Sequence, residues 1–246
     1  MSTSEGGGRE ARRKIVFPLD FGSSTAAADF AGRLAGKVGM FKVGLELFVS
    51  SGPAVLRSLP PETPLFLDLK FHDIPATVKG AARAAAGFGV RFISVHGGGG
   101  PKMLEAAVEG AGSETGVLAV TALTSMDRPE LEKVGLREDL TDPGRLVLHW
   151  TALAREAGCA GVVCSGEEVE AVKKTFGRDF VALVPGVRPS WGEIPRDDQA
   201  RKATPGEAVR RGADYLVVGR PIRLAEDPVA AAERIGEEIA SALTLS

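Results

Sequence analysis

Cysteine is nearly absent from this chain of 246 residues, with only Cys159 and Cys164 present. Two thiols can build neither a disulfide framework nor a four-ligand metal site. They are expected as small buried residues in a reducing compartment. Long apolar runs are also missing, and no stretch approaches the ~18 residues of a membrane span. Neither sign of charge dominates: 30 Lys and Arg against 32 Asp and Glu leave a formal charge of −2. That balance gives no reason to expect nucleic acid or an anionic membrane as partner, so any bound anion needs a local site. The opening "MSTSEGGGREARRK" lacks the apolar core of a signal peptide, and the cytoplasm is the expected compartment. Residues 1–13, including Arg9, Arg12 and Arg13, are expected as a flexible, solvated tail. No Pro/Ser-rich linker or break in composition divides the rest, which predicts one domain over 14–246.

Short apolar runs then alternate with longer amphipathic segments. Candidate strands are 14–20, 39–44, 64–70, 90–97, 115–123, 160–165, 179–186 and 214–220. Helical spacing follows over Ala26–Lys37, Ala76–Phe88, Lys102–Gly112, Arg145–Ala157 and Ala230–Leu245. Strands alternating with helices argue for a parallel sheet with helical crossovers. Eight such units in about 230 residues match the size of a (β/α)8 TIM barrel, an α/β fold. A doubly wound open sheet is the competitor, because periodicity does not reveal closure. The first strand is followed by "LDFGSSTAA", without the glycine-rich dinucleotide turn, so the barrel is favoured.

Ligands of parallel α/β folds sit at the carboxyl ends of the strands. Those ends carry Asp20, Lys42, Asp68 with Lys70, His96, Thr124 with Ser125, Ser165, Arg188 and Arg220. The stretch "LFLDLKFHDIPATV" is the densest. Strand alternation directs Phe66, Asp68 and Lys70 to one face, and Leu65, Leu67 and Leu69 toward the outer helices. An ion pair capping the strand, with Asp73 helping to cap the next helix, is the structural alternative. Taking inward-facing charges out of water costs several kcal/mol each unless they compensate one another, which favours a functional role. Lys42, ending the neighbouring strand, can extend the cluster to a nearly neutral array of Lys42, Asp68, Lys70 and Asp73. Ammonium groups flanked by carboxylates are poor Schiff-base nucleophiles and good proton donors. They also occupy the space and charge balance of a divalent cation, so no metal is expected.

"YLVVGRPI" places Gly219 and Arg220 at the end of the eighth strand, and "VPGVRPS" adds Gly186 and Arg188 from the seventh. Barrels often bind phosphate there, with glycine allowing close backbone approach and arginine offering a two-pronged donor. The run "VHGGGGPKM" reads equally as a phosphate cradle or a tight turn, and His96 with Gly97–Gly100 stays unassigned. His72 and His149 read as a loop and a helix residue.

"DLKFHDIPATV" resembles the D-x-K-x-x-D-I-P-x-T signature of the orotidine 5′-monophosphate decarboxylase family. The resemblance runs over about residues 14–240 through "PLD", "FKVG", "VHGGGG", "TALTSM", "PGVRP", "DDQARKATPGEA" and "YLVVGRPI". It implies a cofactor-free homodimeric barrel that makes uridine 5′-monophosphate in pyrimidine biosynthesis. By the same resemblance, Asp20 and Lys42 hold ribose hydroxyls, Asp68 sits against the substrate carboxylate and Lys70 protonates C6. Asp73 and Thr77 reach the ligand of the neighbouring subunit, while Thr124 and Ser125 contact the pyrimidine. Arg188, Gln199, Gly219 and Arg220 serve the phosphate. Gln199 is matched by its "DDQ" context within a segment, 188–199, longer than in short members of the family, and 189–203 is a candidate lid. The rival implied by the same signature is a magnesium-dependent sugar-phosphate decarboxylase or synthase, which carries an acidic residue in place of Lys42. A catalytically inert nucleotide-binding barrel is the other alternative.

Overall fold

Inward and outward side chains alternate along the strands, broken only by a bulge late in the third, and this alternation generates two separate apolar cores. The computed structural model describes residues 2–191 and 203–244. Helix α1 (Ser2–Arg13) leads into β1 (Ile15–Pro18), α2 (Ser24–Leu34), β2 (Met40–Gly44) and α3 (Leu45–Ser51). Next come β3 (Leu65–Phe71), α4 (Pro75–Ala86), β4 (Phe92–His96) and α5 (Pro101–Ala111). They are followed by β5 (Gly116–Val120), α6 (Arg128–Lys133), α7 (Pro143–Glu156), β6 (Gly161–Val163) and α8 (Val169–Phe176). The remainder is β7 (Val181–Val184), α9 (Pro205–Arg210), β8 (Tyr215–Val217), α10 (Arg220–Arg223) and α11 (Pro228–Thr244).

All eight strands are parallel and lie in chain order, and β1 pairs with β8 through Ile15↔Leu216 and Val16↔Val217. The sheet is therefore a closed TIM barrel in a single domain, and the open-sheet alternative falls away. Val16, Met40, Phe66, Phe92, Leu118, Leu183 and Val217 fill the interior. The intervening residues, such as Phe17, Phe41, Leu67, Ile93, Ala119 and Leu216, pack outward under the helices. Pro75, Pro101 and Pro143 open α4, α5 and α7, where a missing N–H costs nothing, and Asp142 caps α7 by accepting from the Arg145 N–H.

The expected flexible tail needs correction. Its three consecutive glycines disfavour a helix by propensity, yet residues 2–13 are helical and α1 packs along α11. Ala11 is completely buried there, and Gly236 on α11 lets the Arg12 stem lie close. Tertiary packing outweighs weak local propensity. Among the described residues, no helix is long and apolar enough to cross a membrane.

Candidate active site

Just above the interior apolar layer, the next inward positions on β2, β3 and β4 are Lys42, Asp68 and Ser94. All three are polar where the layer below is hydrocarbon. Asp68 Oδ2 lies 2.9 Å from Lys70 Nζ and 3.5 Å from Lys42 Nζ, and Lys42 Nζ lies 3.4 Å from Asp20 Oδ1. Within one chain the array thus runs Asp20, Lys42, Asp68, Lys70, alternating in sign. Burial alone would raise the Asp68 carboxyl. The Lys42 and Lys70 ammoniums, with hydrogen bonds from Lys70 and Ser94, outweigh that and hold it below the usual carboxylate range. Gly44 makes room for the array, since a Cβ there would stand 2.9 Å from Lys42 Nζ.

Lys70 reaches this position by an unexpected route. Strict alternation holds as far as Asp68, but β3 advances from Leu67 to Phe71 while β4 advances only from Ile93 to Val95. The extra residues form a bulge, and Lys70 takes φ +52°, the only non-glycine residue with positive φ among those described. Its N–H is accepted by the Ser94 hydroxyl at 2.9 Å. Leu65, Leu67 and Leu69 face the outer core as expected.

Two adjoining cavities open at this end of the barrel and share Lys42, Pro185 and Val217. The first, about 160 Å³, sets Lys42, Asp68 and Lys70 against Phe66, Val120, Leu123, Val163, Leu183 and Val217, with Thr124 also on its lining. The second, about 150 Å³, is ringed by Asp20, Gly186, Arg188, Gly219, Arg220 and Arg223. An apolar slot with one charged wall suits a flat ring bearing an anionic substituent. The arginine-rich neighbour suits a phosphate.

Most residues singled out from the sequence therefore converge. Asp20, Lys42, Asp68, Lys70, Thr124, Arg188, Gly219 and Arg220 all line one cavity or the other. Ser125 is exposed in the same turn as Thr124 and lines neither cavity. Asp73 and Thr77 are exposed and line neither cavity; Asp73 Oδ1 accepts from the Ile74 N–H at 2.6 Å. Gln199 and most of segment 189–203 lie outside the described residues. Three contributors escaped sequence reasoning: Ser94, Phe66 as a wall of the slot, and Arg223, one helical turn beyond Arg220. The i, i+3 spacing in "RPIR" was the available signal for Arg223.

The glycine run resolves as a turn. Gly97–Gly99 form one 3-10 turn, and none of that run lines either cavity. His96 Nδ1 accepts the Gly98 N–H at 3.1 Å, its ring stacks on His72 at 4.7 Å, and it meets Trp150 edge-on. Burial, reinforced by neighbouring His72, holds the His96 imidazole below its usual range, in the neutral form that can accept at Nδ1. Ser165 spends its hydroxyl on Glu168, and the Cys159 thiol is pushed up to about 12 by burial. Among the described residues, no group of three His, Cys, Asp or Glu side chains is placed to hold a metal ion.

Residues 13–235 match the orotidine 5′-phosphate decarboxylase / HUMPS family. The curated orotidine 5′-phosphate decarboxylase of Desulfosudis oleivorans is 48% identical over 93% of this chain and 94% of its own length. That of Anaeromyxobacter sp. strain K is 51% identical over 90% of this chain and 96% of its own. Among solved structures, the orotidine 5′-phosphate decarboxylase from Lactobacillus acidophilus superposes with a TM-score of 0.81 at 36% identity, covering 92% of this chain and 99% of that one.

Proposed function

The chain belongs to the orotidine 5′-phosphate decarboxylase / HUMPS family, and we propose that its site works on orotidine 5′-monophosphate through the Lys70 ammonium. The reaction is the carboxy-lyase step of pyrimidine biosynthesis that yields uridine 5′-monophosphate. The observation that carries the residue assignment is the Lys70 Nζ, held 2.9 Å from Asp68 on the charged wall of an otherwise apolar slot.

The pyrimidine occupies the slot beside Thr124 and Ser125, and the phosphate lies among Arg188, Gly219 and Arg220, with Gln199 as a further donor. When the bond from C6 to the carboxylate breaks, CO2 leaves and the electron pair stays on C6. A fixed ammonium in a water-poor site stabilises that charge as it develops, because it needs no reorganisation. Lys70 then gives its proton to C6 and regains one from solvent. Asp68 orients Lys70, and Lys42 with Asp20 balances the array while binding ribose hydroxyls. Phosphate contacts remote from C6 supply binding energy for orientation. No metal takes part in this reading, because Lys42 stands where the magnesium-dependent rival carries an acidic residue.

The same reading assigns Asp73 and Thr77 to the active site of a two-fold partner. Supporting it, residues 72–77 form an exposed run at the start of α4, and Ile74 within it is 66% exposed. Leu45 and Val49, on α3 after the adjacent strand, are exposed apolar side chains as well. Large apolar groups exposed after two adjacent strands suit an interface between copies.

Following orotidylate absorbance with purified protein tests the activity. The expected result is one uridylate and one CO2 per substrate, with full rate in excess chelator. Activity lost to chelator and restored by magnesium, with turnover of a sugar phosphate instead, would overturn it.

A further inference from the structure

Ser94 is a fully buried hydroxyl on β4, facing inward between the Phe92 and His96 positions. Its Oγ makes two hydrogen bonds in opposite senses. It donates to Asp68 Oδ1 at 2.8 Å and accepts from the Lys70 backbone N–H at 2.9 Å. A hydroxyl has one proton to give and lone pairs to receive, so both bonds form at once without competition. The two partners are the acid array's carboxylate and the backbone of the residue that carries its ammonium.

The geometry explains why such a bridge is needed. The bulge removes Lys70 from the regular ladder between Leu67 and Phe71, leaving its N–H without the carbonyl partner a regular strand would supply. An N–H left unpaired away from water is costly, and the Ser94 hydroxyl supplies the partner for a residue held in the left-handed region. Meanwhile Asp68 receives Lys42 and Lys70 on Oδ2, and Ser94 fixes the rotation of its carboxylate through Oδ1.

We propose that Ser94 is a positioning residue for the decarboxylation, tying the Asp68 carboxylate and the strained Lys70 backbone to one point on the neighbouring strand. The proposal rests on the functional reading above and deepens it. Ser94 touches no substrate atom in this scheme. It acts by holding Lys70 Nζ at the distance and angle from which C6 is protonated.

Ser94→Ala and Ser94→Thr, assayed beside wild type, test this. The Ala variant should lose about 10–100-fold in kcat, the scale of a small misplacement of a reacting group. Its inhibition by uridylate should stay within about twofold of wild type, because binding contacts are untouched. The Thr variant keeps the hydroxyl and suits a strand, so it should recover most of the loss. An Ala variant with wild-type kcat overturns the assignment. So does a variant whose kcat, uridylate affinity and melting temperature fall together, since that is a fold defect. A Thr variant as slow as Ala, while melting like wild type, also overturns it. Failure of wild type itself to turn over orotidylate would sink the functional reading instead, which separates the two.

Discussion

Lys70 and Asp68 form the smallest unit on which function turns. In the proposed mechanism, Lys70→Ala removes both the charge that stabilises the developing carbanion and the proton that quenches it. The two effects together predict a loss on the order of 10⁴-fold or more in kcat, with uridylate affinity largely kept. A competitive inhibition assay beside the turnover assay checks both halves, and near-normal turnover would refute the assignment. Asp68 was legible from alternation and Lys70 from its strand-end position, both of which need only the local sequence. Ser94 was not legible. In "FISVHG" it reads as a small strand residue, and only the register of β3 against β4 brings it to Asp68. The bulge was hidden for a related reason, since no glycine marks the left-handed position.

Strand ends and the short helices after them set the proposed phosphate site. Arg220 opens α10 directly after Gly219, and Arg223 follows on the same helix, with its guanidinium donating to the Asp20 carbonyl oxygen. Arg220→Ala is expected to cost about 1.5–3 kcal/mol in kcat/KM toward the nucleotide, roughly 10–100-fold. Toward the nucleoside orotidine it should cost almost nothing. Equal losses on both substrates would show that Arg220 supports the fold or the chemistry instead. All eight strands and the five longest helices inside the barrel domain follow from hydrophobic period and turn residues. Short α3 and α6 carry too few turns for a period to emerge, and α1 exists only because α11 is there to receive it.

For the whole molecule, closure was the fact that local pattern left open, and the pairing of β1 with β8 decides it. Subunit sharing belongs to the same scale. If each site takes Lys70 from one chain and Asp73 from its partner, a Lys70→Ala dimer and an Asp73→Asn dimer each hold two defective sites. In a mixed dimer one site collects both lesions and the other none, because a two-fold interface exchanges the same patch reciprocally. Refolding an equimolar mixture should therefore return activity toward about a quarter of wild type. No rescue, with reassortment demonstrated by mass, would mean that Asp73 serves its own chain's site.

The left-handed backbone at Lys70 sets stability against activity. An L-residue in that region gives up about 1–2 kcal/mol that glycine would not. Glycine at position 70 would therefore relax that backbone while removing the proton donor of the proposed mechanism. Stabilisation screens that score melting temperature alone would favour glycine there, and would select a better folded but inactive protein. An engineering effort on this chain has to hold position 70 fixed and look for its gains elsewhere, for instance along the seam between α1 and α11.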